Sequence, residues 1–152
     1  MAENIFSYWQ KYLNDFSNEP VVSFMTLWMC YNSYYNKFHN QTERQRACEL
    51  SKNKNVIKIY EEHKIEILKL FMNIPYKNYS VRTFVENSSN RYNAEYNENK
   101  CDLKDFLNVV YQIRCNLFHG QKNPSNDIDM SLVKWAYSSL YQILHKFNNR
   151  LF

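Results

Sequence analysis

The sequence predicts an all-α fold, an antiparallel bundle of four or more helices with a long polar connection before the helix that carries the candidate site. Three observations predict it. One glycine and three prolines in 152 residues are too few for the many turns of a β-sandwich or barrel. Apolar residues recur at helical spacing through most of the chain. With 45% hydrophobic and 17% aromatic residues, the chain can fill one packed core, and no linker or internal repeat divides it. Residues 1–152 therefore read as a single domain.

The elements follow in order. Ile5, Phe6, Trp9 and Leu13 give residues 4–13 a short amphipathic helical pattern. Ser17-Asn18-Glu19-Pro20 breaks it, and proline suits the first turn of the next helix with Asn18 or Glu19 as its cap. That helix runs to about Phe38. Phe24, Trp28, Tyr31, Tyr35 and Phe38 line one face, with Met25 and Met29 widening it. Such a stripe reads as core before it reads as a base-stacking platform, and Asn32 within it needs a polar partner.

Thr42-Glu43-Arg44-Gln45 has capping-box form and opens a polar helix through about Asn53. After a kink at 52–55, the apolar pattern from Val56 to Met72 continues the helix to Asn73. The Glu/Lys mixture at 61–69 reads as a solvated face with an exposed His63. From Pro75 to about Lys100 the chain is asparagine-rich, long for a bare loop. Residues 80–85 are expected to add a helical turn, and 87–100 to form mobile polar sequence that reads as a variable surface excursion before it reads as a functional lid. Asp102 caps the next helix, whose buried face is Leu103, Phe106, Leu107, Val110, Ile113 and Leu117, with Gly120 as its stop. The last helix, about Asp129 to Asn148, buries Leu132, Trp135, Ala136, Leu140, Ile143, Leu144 and Phe147. A short turn between these two predicts an antiparallel hairpin.

Charge and cysteine usage narrow the function classes. The net charge of +4 is spread along the chain and forms no basic arm, so any nucleic-acid contact must be local. Cys30, Cys48, Cys101 and Cys115 have no C-x-x-C spacing, and the scattered cysteines and histidines support no metal centre, redox centre or cofactor. No secretory signal opens the sequence, and the longest uncharged run is too short and polar to span a bilayer. The expectation is a reduced, cytoplasmic protein without a membrane segment.

The segment from Tyr111 to Gly120 concentrates polar chemistry at the end of an apolar helix. Arg114, Asn116 and His119 precede the only glycine, and Lys122 follows it. A helix turns about 100° and rises about 1.5 Å per residue, so Arg114 and His119 diverge by about 140° and about 7.5 Å, whereas Asn116 and His119 share a face. Histidine exchanges protons near neutral pH, and arginine stays charged and forks across two phosphate oxygens. The same residues also suit a plain helix end, where cations answer the carbonyl dipole.

Ile113-Arg114-Cys115-Asn116-Leu117-Phe118-His119-Gly120 resembles the signature of HEPN domains, all-helical proteins marked by Arg, four to six residues, then His and commonly Gly. The helices around Phe24–Asn32 and Leu132–Ala136 resemble family positions too, leaving roughly 40–100 unaccounted for. The resemblance implies a metal-independent endoribonuclease of toxin–antitoxin or antiviral type, with its site composed where two copies of the motif helix meet in a homodimer. It implies His119 as proton-transfer group, Arg114 as transition-state clamp, Asn116 as positioner and Lys122 on a flanking phosphate. RNA is then the substrate, and an antitoxin or other regulatory protein a possible partner. Cys115 stands where catalytic members often place a polar residue, and Gln121 where toxins silenced by a nucleotidyltransferase carry tyrosine. The alternative is an inactive HEPN-like bundle that binds RNA or protein.

Overall fold

The computed structural model describes residues 19–38, 42–74, 84–87, 92–118 and 127–151. Among them are five α-helices: α1 (Pro20–Tyr35), α2 (Glu43–Ala47), α3 (Lys54–Met72), α4 (Leu103–Phe118) and α5 (Asp127–Leu151). A 3-10 turn, Glu49–Lys52, joins α2 to α3. The expected all-α bundle is what the chain forms. The amphipathic stretch at 4–13 lies outside the described residues.

Local sequence sets the helix ends. Pro20 occupies the first turn of α1, and the Glu19 carboxylate accepts a bond from the Val21 amide at 3.4 Å. At α2 the capping box closes, with Gln45 N donating to Thr42 Oγ1 at 3.2 Å and Thr42 N to Gln45 Oε1 at 2.9 Å. The anticipated kink at 52–55 is a full break, because Asn53 adopts an extended backbone and caps α3 through its side chain. At α4, Asp105 N donates to Asp102 Oδ1 at 2.8 Å and Asp102 N to Asp105 Oδ2 at 3.0 Å. Two aspartates thus do reciprocally what a capping box does with Thr and Gln.

The last helix packs chiefly on α1 and α3, and α4 lies against α2, α5 and the strands described below. Phe24, Trp28, Tyr31 and Tyr35 of α1 are buried, and all seven stripe residues expected of α5 are buried as well. Trp135 ties α5 to α3 by donating from Nε1 to the Ile67 carbonyl at 2.9 Å. Met25 and Met29 do not widen the core face as expected: they are 40% and 50% exposed. His63 differs from its expected free exposure too. It is half-buried between helices, with Lys146 Nζ 2.6 Å from Nε2 and Gln142 Nε2 3.1 Å from Nδ1.

The polar connection holds the main departure from the sequence reading. Phe84–Asn87 (β1) and Tyr92–Glu95 (β2) pair antiparallel, Phe84 opposite Glu95 and Asn87 opposite Tyr92. Residues 84 and 85 are strand, not helical turn. The second strand does not simply wander over the surface, since Ala94 and Tyr96 are fully buried while Glu95 between them is exposed. The Tyr60 and Tyr96 hydroxyls meet at 2.6 Å, and Tyr60 donates to the Cys101 carbonyl at 2.7 Å. Tyr96 also packs edge-on against Phe71 and Phe106, which seats the hairpin in the core beside α4. Non-local ring packing overrides a polar composition here. No described helix is long and apolar enough to cross a membrane.

Candidate functional site

The candidate site stands on α4, which is buried around most of its circumference: Val109, Val110, Tyr111, Gln112, Ile113, Cys115 and Asn116 are all inside. An amphipathic surface helix would show one polar face. Here two polar clusters are instead buried on different sides of one helix, and each contains an arginine.

The first cluster is a ladder. Asn108, Gln112 and Asn116 are four residues apart and share a face. Arg44 reaches in from α2, donating from Nη1 to Asn108 Oδ1 at 2.6 Å and from Nη2 to Gln112 Oε1 at 2.7 Å. Gln112 Nε2 passes the chain on to Asn116 Oδ1 at 2.8 Å. The Arg44 guanidinium also lies 4.7 Å from the centre of the Tyr111 ring. Gln112 is 0% and Asn116 1% exposed, so these amides need internal partners.

The second cluster surrounds Arg114. Its Nη2 lies 3.3 Å from Glu43 Oε1, and its Nη1 donates to Cys115 Sγ at 3.8 Å. Its Nε is buried and has no hydrogen-bond partner among the described residues. Rings wall the guanidinium: Phe118 at 4.4 Å, Tyr111 at 5.8 Å and Trp28 at 6.0 Å. Glu43 in turn gathers hydroxyls, with Tyr35 donating to Oε1 at 3.0 Å and Tyr111 to Oε2 at 3.4 Å. Burial first, then the Glu43 carboxylate, pushes the Tyr35 hydroxyl well above its ordinary pKa, while Arg114 pulls it back. Burial followed by Cys115 and Glu43 acts the same way on Tyr111. Both phenols stay protonated hydrogen-bond donors at neutral pH. The Trp28 indole N–H faces the Tyr35 hydroxyl but is buried without a hydrogen bond of ordinary geometry.

Of the sequence-derived residues, Arg114 sits half-buried in this slot, and Asn116 turns away into the ladder. Two residues of helix separate them by about 200°, so they cannot address one substrate group from the same chain. His119, the Gly120 stop and Lys122 lie outside the described residues. His145 stacks on Tyr141 of its own helix, ring centroids 5.5 Å apart.

Glu43, Tyr35 and Tyr111 escaped the sequence reading. Glu43 looked like the first residue after a cap, and nothing local marks it as the partner of a residue on α4. Among the cysteines, burial raises the Cys30 thiol to about 12 and Cys48 to about 11, so both are protonated at neutral pH and behave as small apolar groups. No group of three or more His, Cys, Asp or Glu gathers among the described residues. Compared with known proteins, the chain matches no family model, no curated protein and no solved structure.

Proposed function

We propose that the chain is a metal-independent endoribonuclease of HEPN type, acting as a homodimer whose site joins two copies of α4. One observation carries the reading: Arg114 heads the Arg-x4-His-Gly segment, and its guanidinium is held in an aromatic slot with part of its donor capacity unused. A guanidinium that is ordered but not saturated is suited to charge that appears during a reaction.

In the proposed reaction the 2′-hydroxyl oxygen attacks the adjacent phosphorus and its proton passes to a base. The bond from phosphorus to the 5′-oxygen breaks, and that oxygen takes a proton as it leaves. The products are a 2′,3′-cyclic phosphate and a 5′-hydroxyl. His119 from the two protomers supplies the base and the acid, Arg114 braces the phosphorane oxygens, and Lys122 holds a flanking phosphate. Asn116 contributes from behind, fixing the last turn of α4 through Gln112. A toxin–antitoxin or antiphage setting, with a restraining regulatory protein, follows from the same resemblance.

A second reading is favoured by the Arg114–Glu43 ion pair and by the burial of Asn116. Under it the bundle keeps the HEPN-like surface and binds RNA or protein without cleaving. Incubation with single-stranded and structured RNA in excess chelator separates the two. The enzyme reading expects cleavage with cyclic phosphate ends, lost in His119→Ala and Arg114→Ala, with DNA untouched. RNA retained but never cut by the wild type supports the binding module. A strict monomer by light scattering, with RNA present, removes the composite site.

A further inference from the structure

We propose that the Glu43 carboxylate is an internal stand-in for phosphate, holding Arg114 against α1 and α2 until a phosphodiester displaces it. The inference rests on Arg114 being the phosphate-binding group of the proposed function, and it adds how that group is restrained.

The pair has the geometry of a temporary partner. Guanidinium and carboxylate at their strongest meet fork to fork, through two parallel bonds at about 2.7–2.9 Å. Here a single nitrogen approaches a single oxygen at 3.3 Å. The remaining donors are poorly used: Nη1 has only a thiol at 3.8 Å, and buried Nε has no partner among the described residues. A buried donor left unpaired costs free energy that a better acceptor recovers. The Arg44 contacts show that the same fold can satisfy a guanidinium with bonds of 2.6 and 2.7 Å.

The surroundings of Glu43 match a phosphate as well as a carboxylate. Tyr35 and Tyr111 both direct hydroxyls to it, from α1 and α4. Both are donors, and the same two hydroxyls together with Arg114 Nε and Nη could distribute among the oxygens of a phosphodiester. The exits differ in cost. Tyr35 is fully buried and cannot leave, whereas the Glu43 side chain is 33% exposed and can swing into water on displacement. Phe118, 42% exposed and 4.4 Å from the Arg114 guanidinium, forms the outer wall past which a nucleotide would enter and offers a face for a base. Glu43 would then oppose binding twice, by occupying the donors and by repelling a second anion.

The test is binding of a short RNA whose 2′-hydroxyls are replaced by hydrogen at the cleavage sites, beside an all-DNA oligonucleotide and inorganic phosphate. Glu43→Gln keeps the size and removes the charge. Its affinity for the RNA should rise roughly two- to fivefold, the range a half-exposed ion pair supports, and the gain should vanish in Glu43→Gln/Arg114→Ala. An equal gain for inorganic phosphate shows that the site takes the anion alone, and a gain confined to oligonucleotides shows that the chain past Phe118 contributes; both uphold displacement. Unchanged or weaker binding of every probe overturns it. Should Glu43→Gln not fold, wild-type protein serves: the NMR signals of the Arg114 Nε–H and the Glu43 carboxyl carbon must move together as RNA is added, and movement of neither or of only one overturns the proposal. Wild-type cleavage with no Glu43 effect fails the inference alone. An Arg114-dependent affinity gain in a protein that never cleaves fails the nuclease reading alone.

Discussion

Two arginines meet α4 from opposite circumstances, and their contrast separates a structural tie from a proposed ligand site. Arg44 comes from another helix and is tied firmly: two short bonds to neutral amides and a tyrosine ring beneath its guanidinium. Arg114 belongs to α4 itself and is held loosely, by one long ion pair, a thiol and ring faces. Tyr111 lies beside both guanidiniums. Short bonds to buried amides are what a structural tie needs, because an unpaired buried amide is expensive. Spare donor capacity next to solvent is what a ligand site needs. The lesson is that the residue type alone does not assign a role; the completeness of its partners does.

The contrast breaks most visibly in Arg44→Ala. Removing the guanidinium deletes its two short bonds to the Asn108 and Gln112 amides, and the loss should be about 2–4 kcal/mol. Thermal unfolding should shift down by roughly 5–15 °C for a domain of this size. A shift of a degree or less would mean that the ladder is not a structural tie.

Asn116→Ala sharpens the same side of the comparison. Gln112 Nε2 loses its acceptor in a fully buried site, and denaturant unfolding should report a loss of about 1–2 kcal/mol. Arg114→Ala should cost less, about 1 kcal/mol, because its ion pair is partly exposed and its ring contacts are those of a half-solvated cation.

The smallest effect lies at the other end of α4 and depends on pH. Burial alone would raise the Asp105 pKa, but hydrogen bonds from Lys100 and Asp102 outweigh it and hold the carboxyl below its ordinary range. A carboxyl depressed in the folded state stabilises above its unfolded pKa of about 3.9, and that contribution fades as pH falls through the folded value. Asp105→Asn should therefore be less stable than wild type at pH 7, with the gap closing below about pH 4. A gap that stays constant from pH 7 to pH 3 would assign the difference to something other than this charge.

Much of the fold was legible because the helices signal locally. Thr42 with Gln45, Glu19 with Pro20, and the α5 stripe from Leu132 to Phe147 act within a few residues of themselves. The hairpin also had a signal, one that asparagine content masked: Tyr92, Ala94 and Tyr96 alternate with Asn93, Glu95 and Asn97 at the period of a strand. The exposure of Met25 and Met29 was not legible, since the aromatic stripe one residue over already supplies the buried face of α1, where Trp28 meets Tyr111 of α4 and Tyr35 meets Glu43 of α2. At the candidate site, the sequence singled out Arg114 through its neighbours in the chain. It gave no sign of Glu43, because an ion pair between α2 and α4 exists only once the bundle brings them together.

The most direct measurement sets Arg44→Ala beside Arg114→Ala, reading RNA cleavage per folded molecule in excess chelator together with thermal stability. Arg44→Ala should melt earlier while its folded fraction still cuts RNA, and Arg114→Ala should stay folded and not cut. Cleavage by Arg114→Ala at the wild-type rate would contradict this.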